Sequence, residues 1–277
     1  MYSHNRSSKK VILTFDVENE LFKDSQWLEE IINKILGLLD KYERSATFFT
    51  VGQIAEQMPG MIRKIVKQGH ELALHGAFSH ITLDKISKER FKEGLEKTIS
   101  IFKKITGEKV IGFRAPWFSL TEQTKWILPI LEENGLKYDS SICPVNMFYY
   151  GVNNAPMNMY QISMDCIKKS DDQSAMLEIP VSVYSIGGIR IPTGGGIYFT
   201  VIPFRIFEHV LKHILKDRIP VIYFHPHDLS RGKHLKKTFR NIIMHPLRIY
   251  GSKNNMRKFE MLLKKYECIS VENFLSL

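Results

Sequence analysis

Cysteine is scarce in this sequence and long apolar runs are missing, and each absence removes a class of protein. The three cysteines, Cys143, Cys166 and Cys268, are odd in number, widely separated and without the CxxC spacing of a zinc ribbon or a redox dithiol. They read as free thiols, mostly buried. No apolar segment approaches the roughly 20 residues that a membrane-spanning helix needs. At the amino terminus, MYSHNRSSKKVILTFDVENE, basic residues precede a short apolar run that Asp16 and Glu18 interrupt. That run is too short for a signal peptide and lacks a small-residue cleavage site, so a cytoplasmic location is expected. The glycine run Gly194-Gly195-Gly196 is not followed by GKS or GKT, which excludes a phosphate-binding loop. Neither an internal repeat nor a low-complexity linker occurs. No helix-turn-helix, zinc-finger or RNA-binding signature is present, so no specific nucleic-acid partner is expected.

What is present fits one folded, enzyme-sized chain. Its 277 residues are 44% hydrophobic and 25% charged, the balance of an ordinary globular protein. The formal net charge is +10, and much of the excess falls in the last third, in KHLKKTFRNIIMHPLRIYGSKNNMRKFEMLLKKYE. This stretch reads as a solvated basic helical surface; contact with an anionic membrane surface or a phosphate-bearing carrier is the alternative use of such a charge. The sequence leaves the oligomeric state open.

Short apolar runs alternate with amphipathic stretches. KVILTFDV reads as a buried strand, SQWLEEIINKILGLLDKY as a helix and SATFFTV as the next strand. PGMIRKIVKQ reads as a helix with Pro59 in its first turn, and ELALH as a strand. A helix from about Ser87 to Thr106 places Phe91, Leu95, Ile99 and Phe102 on one stripe, and the strand KVIGFR follows. Ser119-x-x-Glu122 is a capping-box pattern for a further helix that Pro129 should kink or shorten. MLEIPVSVYSIGGIRIPTGGGIYF suggests short strands punctuated by glycines, with the triple glycine allowing backbone to approach a ligand. A helix from about Pro203 to Lys216 and the strand IPVIYFH come next. The expected fold is therefore α/β, a parallel strand-helix barrel or sheet with its catalytic groups at the carboxyl ends of strands. One domain is expected over residues 1–277, with an irregular insertion at about 144–176 and the basic helical region at about 230–277.

Asp16, His75, Arg114 and Asp139 all fall at strand ends in this reading. Asp16 and Glu18 are two apart, so period-two alternation turns both carboxylates to one face. Alone, such a pair more often marks a strand entering a solvated loop. His75-Gly-Ala-Phe-Ser-His80 places two imidazoles in one loop, with Gly76 allowing a sharp turn; two histidines and a carboxylate are a common divalent-metal set with room for water. Because residues five apart do not share a helix face, the loop must fold back for both to reach one ion.

TFDVE, LALHGAFSH, GFRAPW, KYDSS and YFHPHDL, in this order over residues 14–229, resemble the five motifs of the polysaccharide deacetylase family, also called carbohydrate esterase family four. The branch associated with exopolysaccharide gene clusters looks most similar, with its DVE, RAP-x-FS and YDSSI patterns and a comparable GGGIYF. The resemblance implies a distorted or incomplete (β/α) barrel and metal-dependent hydrolysis of the N-acetyl group of an amino sugar, in a cell-surface polysaccharide or its cytoplasmic precursor. It implies Asp16 as catalytic base, Arg114 as the residue orienting it, His225 as catalytic acid and Asp139 as the acid tuning His225. Pro116 and Trp117 would wall the substrate groove. Glu18, His75 and His80 would hold a divalent metal, zinc first and cobalt, nickel or manganese otherwise. The substrate class implied is an N-acetylated sugar or oligosaccharide, free or linked to a lipid or nucleotide.

The chain departs from the family pattern at three places. Val17 stands where a second aspartate is usual, so Glu18 takes the metal role. Four residues rather than three separate His75 and His80, which leaves His227 as another candidate imidazole. Ile142 stands where many members have tryptophan. Trp117, Tyr149, Tyr150 and Tyr198 are candidates for stacking on sugar rings, against the alternative of ordinary core or loop aromatics. Two other readings remain at this stage: a metal-assisted hydrolase of another C–N amide of the purine-breakdown type, and a noncatalytic carbohydrate-binding homologue.

Overall fold

The computed structural model describes residues 9–18, 25–147, 150–230 and 254–276. Tyr149 and most of the basic carboxyl-terminal stretch lie outside them. The strands in chain order are β1 (Lys10–Val17), β2 (Thr47–Thr50), β3 (Glu71–His75), β4 (Gly112–Arg114), β5 (Tyr138–Asp139), β6 (Tyr160–Gln161), β7 (Leu177–Glu178), β8 (Val183–Ile186), β9 (Ile189–Pro192), β10 (Val221–Phe224) and β11 (Glu267–Ile269). The chain divides into two compact units, one of Met1–Thr47, Gln68–Glu71 and Thr193–Leu277, the other of Phe48–Lys67 and Leu72–Pro192.

In the first unit, β1 is buried from Val11 to Val17 because apolar residues occupy both of its faces, the signature of a parallel strand covered on both sides. It pairs in parallel with β10, Phe15 opposite Phe224, and with β11, Val11 opposite Cys268. The helix Ser25–Lys41 buries Leu28, Ile31, Ile32, Ile35 and Leu39, the three- and four-residue spacing that places one helical face on a sheet. Gly194 and Gly195 run beside β10: Tyr223 donates its backbone N–H to the Gly194 carbonyl at 2.6 Å. Gly195 has φ of +146°, and a Cβ there would overlap the Tyr223 carbonyl oxygen. The triple glycine thus serves an approach of backbone to backbone, and the segment after it, Ile197–Val201, is a helix rather than the expected strand.

In the second unit, β3, β4, β5 and β7 follow one another in parallel, and β6 pairs antiparallel with β7. Each parallel step needs a crossover, and the helix Lys88–Thr106 supplies one. The Ser87 side chain accepts from the Arg90 N–H at its start, and Gly107, at φ 79°, closes its end. Its buried stripe is Phe91, Leu95, Thr98 and Phe102. Thr98 takes the inward place expected for Ile99 because its hydroxyl donates to the Ala77 carbonyl at 2.6 Å. Strands β8 and β9 form a hairpin turned by Gly187 and Gly188, both at positive φ.

The helix after the third motif runs Ile127–Glu133, not from Ser119. Ser119 instead accepts from the Leu83 N–H and donates to the Pro116 carbonyl, so its hydroxyl is used before any capping box can form. Pro129 then falls in the first turn, where its missing N–H costs nothing. Pro59 likewise opens the helix Pro59–Lys67. All three cysteines are free thiols; Cys143 and Cys268 are buried and Cys166 is partly so. No helix among the described residues is long and apolar enough to cross a membrane.

Candidate active site

In the first unit, three groups expected from the sequence meet at the carboxyl ends of two paired strands. The register that sets Phe15 opposite Phe224 puts Asp16 in the last two residues of β1, Glu18 just past its end and His225 just past the end of β10. Asp16 is buried, and the His225 Nε2 faces the Glu18 Oε1 at 3.5 Å. The His225 Nδ1 faces the Asp228 Oδ2 at 3.3 Å, while that same oxygen accepts the His225 backbone N–H at 2.8 Å. Asp228 is held in turn by the short helical turn Pro226–Leu229 and by Asn255, whose side-chain N–H donates to the Asp228 carbonyl at 2.7 Å. Burial pulls the pKa of His225 down, but the carboxylates of Glu18, Asp228 and Asp16 outweigh it and hold the imidazole above its ordinary value. The ring is thereby biased toward the charged form that can give up a proton. His227 stacks on it, centroids 4.8 Å apart and planes 22° apart.

In the second unit, His75 ends β3 in register with Arg114 on β4. Its Nδ1 lies 3.1 Å from the Arg114 carbonyl oxygen. A carbonyl can only accept, so Nδ1 carries the ring proton and Nε2 presents its lone pair, the tautomer of a metal ligand fixed by an outer partner. Gly76 turns the chain at φ +72°, and a Cβ there would lie 2.8 Å from the Pro116 ring. The loop folds back so that the His80 ring stands 5.0 Å from that of His75. These two histidines therefore come together despite their longer separation in sequence. The described residues include side-chain groups of the kind that hold a divalent ion, and the tautomer fixed at His75 fits one.

Pro116 is buried, while Trp117 is 50% exposed with its ring 6.5 Å from His80. Trp117 has φ 56° and Phe118 φ 50°. Two successive aromatic residues in the left-handed region cost about 1–2 kcal/mol each, a strain that places the indole in the open beside the histidine pair. Tyr150 packs against Phe118 at 6.1 Å, which makes it part of the support of that turn.

Arg114 is fully buried. Its Nε and Nη2 donate to the Ser140 carbonyl and hydroxyl at 3.0 and 2.8 Å, and its guanidinium lies 4.1 Å from the centre of the Phe49 ring. Asp139 was expected to tune His225; the carboxylate that faces the His225 Nδ1 within the first unit is that of Asp228. Asp139 instead accepts from the Ser141 hydroxyl and sits opposite Glu178 in the β5–β7 register. Glu178 accepts the Ile142 N–H at 3.0 Å. Burial first, and then the neighbouring Asp139 carboxyl, push the Glu178 pKa well up; burial also raises that of Asp139, against the pull of its hydrogen bonds with Glu178 and Ser141 and of Arg114. Two buried carboxyls so placed disfavour the doubly ionised state, which biases the pair toward holding one proton between them. Glu178, Ser140, Ser141 and Asp228 were not singled out from sequence. The signal for Glu178 was a lone carboxylate inside the apolar run MLEIP; for Asp228 it was the acid three residues beyond His225.

Parallel strands with carboxylates and imidazoles at their carboxyl ends are an arrangement suited to hydrolytic chemistry. Residues 3–138 match the model of the polysaccharide deacetylase family, and residues 140–276 match a domain of unknown function, DUF3473. The stretch that matches the polysaccharide deacetylase model carries Asp16, His75, His80 and Arg114. A peptidoglycan deacetylase-like protein of Gibberella zeae is 28% identical over 161 residues, 55% of this chain and 46% of that one. A peptidoglycan-N-acetylglucosamine deacetylase of Bacillus cereus is 30% identical over 126 residues, 45% of this chain and 42% of that one. The matches thus span less than half the length of these relatives. A polysaccharide deacetylase-type structure from Mycobacterium smegmatis superposes with a TM-score of 0.59 at 22% identity, covering 95% of this chain and 86% of that one. That likeness shows the fold, the incomplete α/β barrel type.

Proposed function

We propose that this protein is a divalent-metal-dependent deacetylase that removes the acetyl group from an N-acetylated amino sugar of a cell-surface polysaccharide or its precursor. The observation that supports the reading is that a carboxylate, Asp16, and an imidazole, His225, lie at the carboxyl ends of two paired strands, where they would serve as base and acid. Amide hydrolysis needs both, and the peptidoglycan-deacetylase names of the relatives point to the N-acetyl group as the bond cut.

In this reading Glu18, His75 and His80 hold the ion, zinc first, with cobalt, nickel or manganese as alternatives; two imidazoles and a carboxylate leave positions open. A bound divalent ion would supply Lewis acidity, bringing the pKa of a water down to about 7 and polarising the acetyl carbonyl. Asp16 takes the proton of the attacking water as the water oxygen bonds to the acyl carbon. His225, charged between Glu18 and Asp228, gives its proton to the sugar nitrogen as the C–N bond breaks. The products are acetate and a free amine. The exposed face of Trp117 receives a sugar ring against its π-system, with Pro116 fixing the turn beneath it.

Acetate release tests the reading. Metal-loaded protein is to be assayed on N-acetylglucosamine oligomers, on peptidoglycan-type strands and on lipid-linked and nucleotide-linked N-acetyl sugars. Release from at least one class, abolished by a chelator and restored by the ion, is expected. Fully metallated protein that releases no acetate from any of them would overturn it.

A further inference from the structure

We propose that His225, His227 and Asp228 form a second, weaker site for a divalent transition-metal ion, whose filling removes the acid needed for turnover. The donor atoms of the three side chains all lie within 4.8 Å of one another. The His225 Nδ1 is 3.3 Å from the Asp228 Oδ2, and the His227 Nε2 is 3.6 Å from the Asp228 Oδ1. Ligands held 2.0–2.2 Å from one tetrahedral ion stand about 3.3–3.6 Å apart, and both imidazole–carboxylate separations fall in that range. One carboxylate is faced by two imidazoles, whereas a proton donor steadied by an acid needs only one imidazole. The stacked rings bring the second nitrogen to the other carboxylate oxygen.

Position and preparation support the same assignment. The side chain of Asp228 is inaccessible to solvent and that of His227 nearly so, while His225 keeps 13% of its side-chain surface, a route for the ion. The Asn255 contact with the Asp228 carbonyl and the His225 N–H on Oδ2 fix the carboxylate before any ion arrives. Two neutral imidazoles and one carboxylate suit zinc, cobalt or nickel and suit magnesium or calcium poorly. Both sites draw on the same pool of ions, but the second uses a residue of the reaction itself.

The consequence for turnover rests on the reading of His225 as proton donor; the site does not. An imidazolium needs a proton on each nitrogen, and an ion on Nδ1 takes the place of one. The ring then keeps Nε2–H but is no longer the cation that releases it to the leaving nitrogen. Activity should rise as the first equivalent of ion binds and fall as the second binds.

The test is a titration of metal-free full-length protein with cobalt(II), followed by its visible absorption and by calorimetry, with acetate release measured in parallel. Two equivalents are expected for the unaltered protein. In His75→Ala the tighter one is lost and the weaker retained. His227→Gln and His227→Phe, the second of which preserves the stacked ring, are expected to bind one equivalent and to show no fall in activity at high metal. A single equivalent in the unaltered protein, or a second one unchanged in both His227 variants, would overturn the site. Loss of both equivalents in both variants would also overturn it, since the two sites would then be one. If the second equivalent binds as expected but activity does not fall, the site stands and the role of His225 as proton donor is what fails.

Discussion

Asp16→Asn keeps the shape of the base and removes its capacity to take a proton, whereas His75→Ala removes a nitrogen whose tautomer is already set by the Arg114 carbonyl. The two variants should therefore fail differently. Asp16→Asn is expected to retain its metal and lose turnover by about 10²–10⁴-fold, while His75→Ala loses the metal as well. Metal analysis beside acetate release separates them; appreciable turnover in Asp16→Asn would remove the base assignment. Asp228→Asn tests the partner of His225. Its amide oxygen can still accept the His225 N–H but no longer carries charge, and since Asp228 raises the His225 pKa, its loss must lower it. The high-pH limb of kcat/KM should move to lower pH, with kcat reduced more than KM is raised. An unmoved limb would mean that Asp228 only shapes the turn. Asp16, Glu18, His75 and His225 were legible in the sequence because each follows directly on an apolar strand within a family motif. Asp228 was not, because its contact is made through a tight turn whose geometry the letters HPHD do not state. The pairing of Asp139 with Glu178 was not legible for the converse reason: the partner comes from a strand 39 residues on.

Strand and helix alternation was legible because buried parallel strands are apolar on both faces and the helices between them keep one apolar stripe. Failures cluster where a tertiary contact overrides a local pattern. Ser119 spends its hydroxyl on Leu83 and Pro116 rather than on a helix start. The triple glycine, whose composition suggested ligand contact, is used against β10. That use makes a sharp prediction. Gly195→Ala would force a Cβ into the Tyr223 carbonyl at a φ of +146°, a conformation that L side chains rarely adopt. Strain and overlap together should cost more than about 2 kcal/mol, read as a fall in the denaturation midpoint. Gly187→Ala, in the hairpin turn, adds a methyl that would meet nothing within 4 Å, so it should cost only the positive-φ penalty of about 1 kcal/mol. Equal losses in the two would show that Gly195 does not set the spacing of β10.

At the scale of the whole molecule, two kinds of buried titratable group pull stability in opposite directions with pH. His70 is buried, which lowers its pKa from 6.5 to about 4 even though Asp40 works against the shift. Between those values the unfolded chain binds the proton that the folded one refuses, so stability rises with pH across that window and is lost as acid is added. A shift of this size corresponds to roughly 3 kcal/mol at its full extent. Asp139 and Glu178 act the other way. Their pKa values are raised in the folded state, first by burial, so the folded chain holds a proton that the unfolded chain releases above about 4.5. Their contribution is complete below that pH and is lost as pH rises through the folded values. Thermal unfolding of the metal-free protein from pH 4 to 8 should therefore show a shallow optimum rather than a plateau. His70→Gln removes the imidazole and should flatten the acid limb alone. Glu178→Gln keeps an oxygen for the Ile142 N–H and leaves a neutral partner for Asp139, so it should flatten the opposite limb and leave the acid one intact. An unchanged acid limb in His70→Gln would assign acid sensitivity to the carboxylates instead. A Glu178→Gln variant as pH-dependent as its parent above 4.5 would mean that the pair does not share a proton.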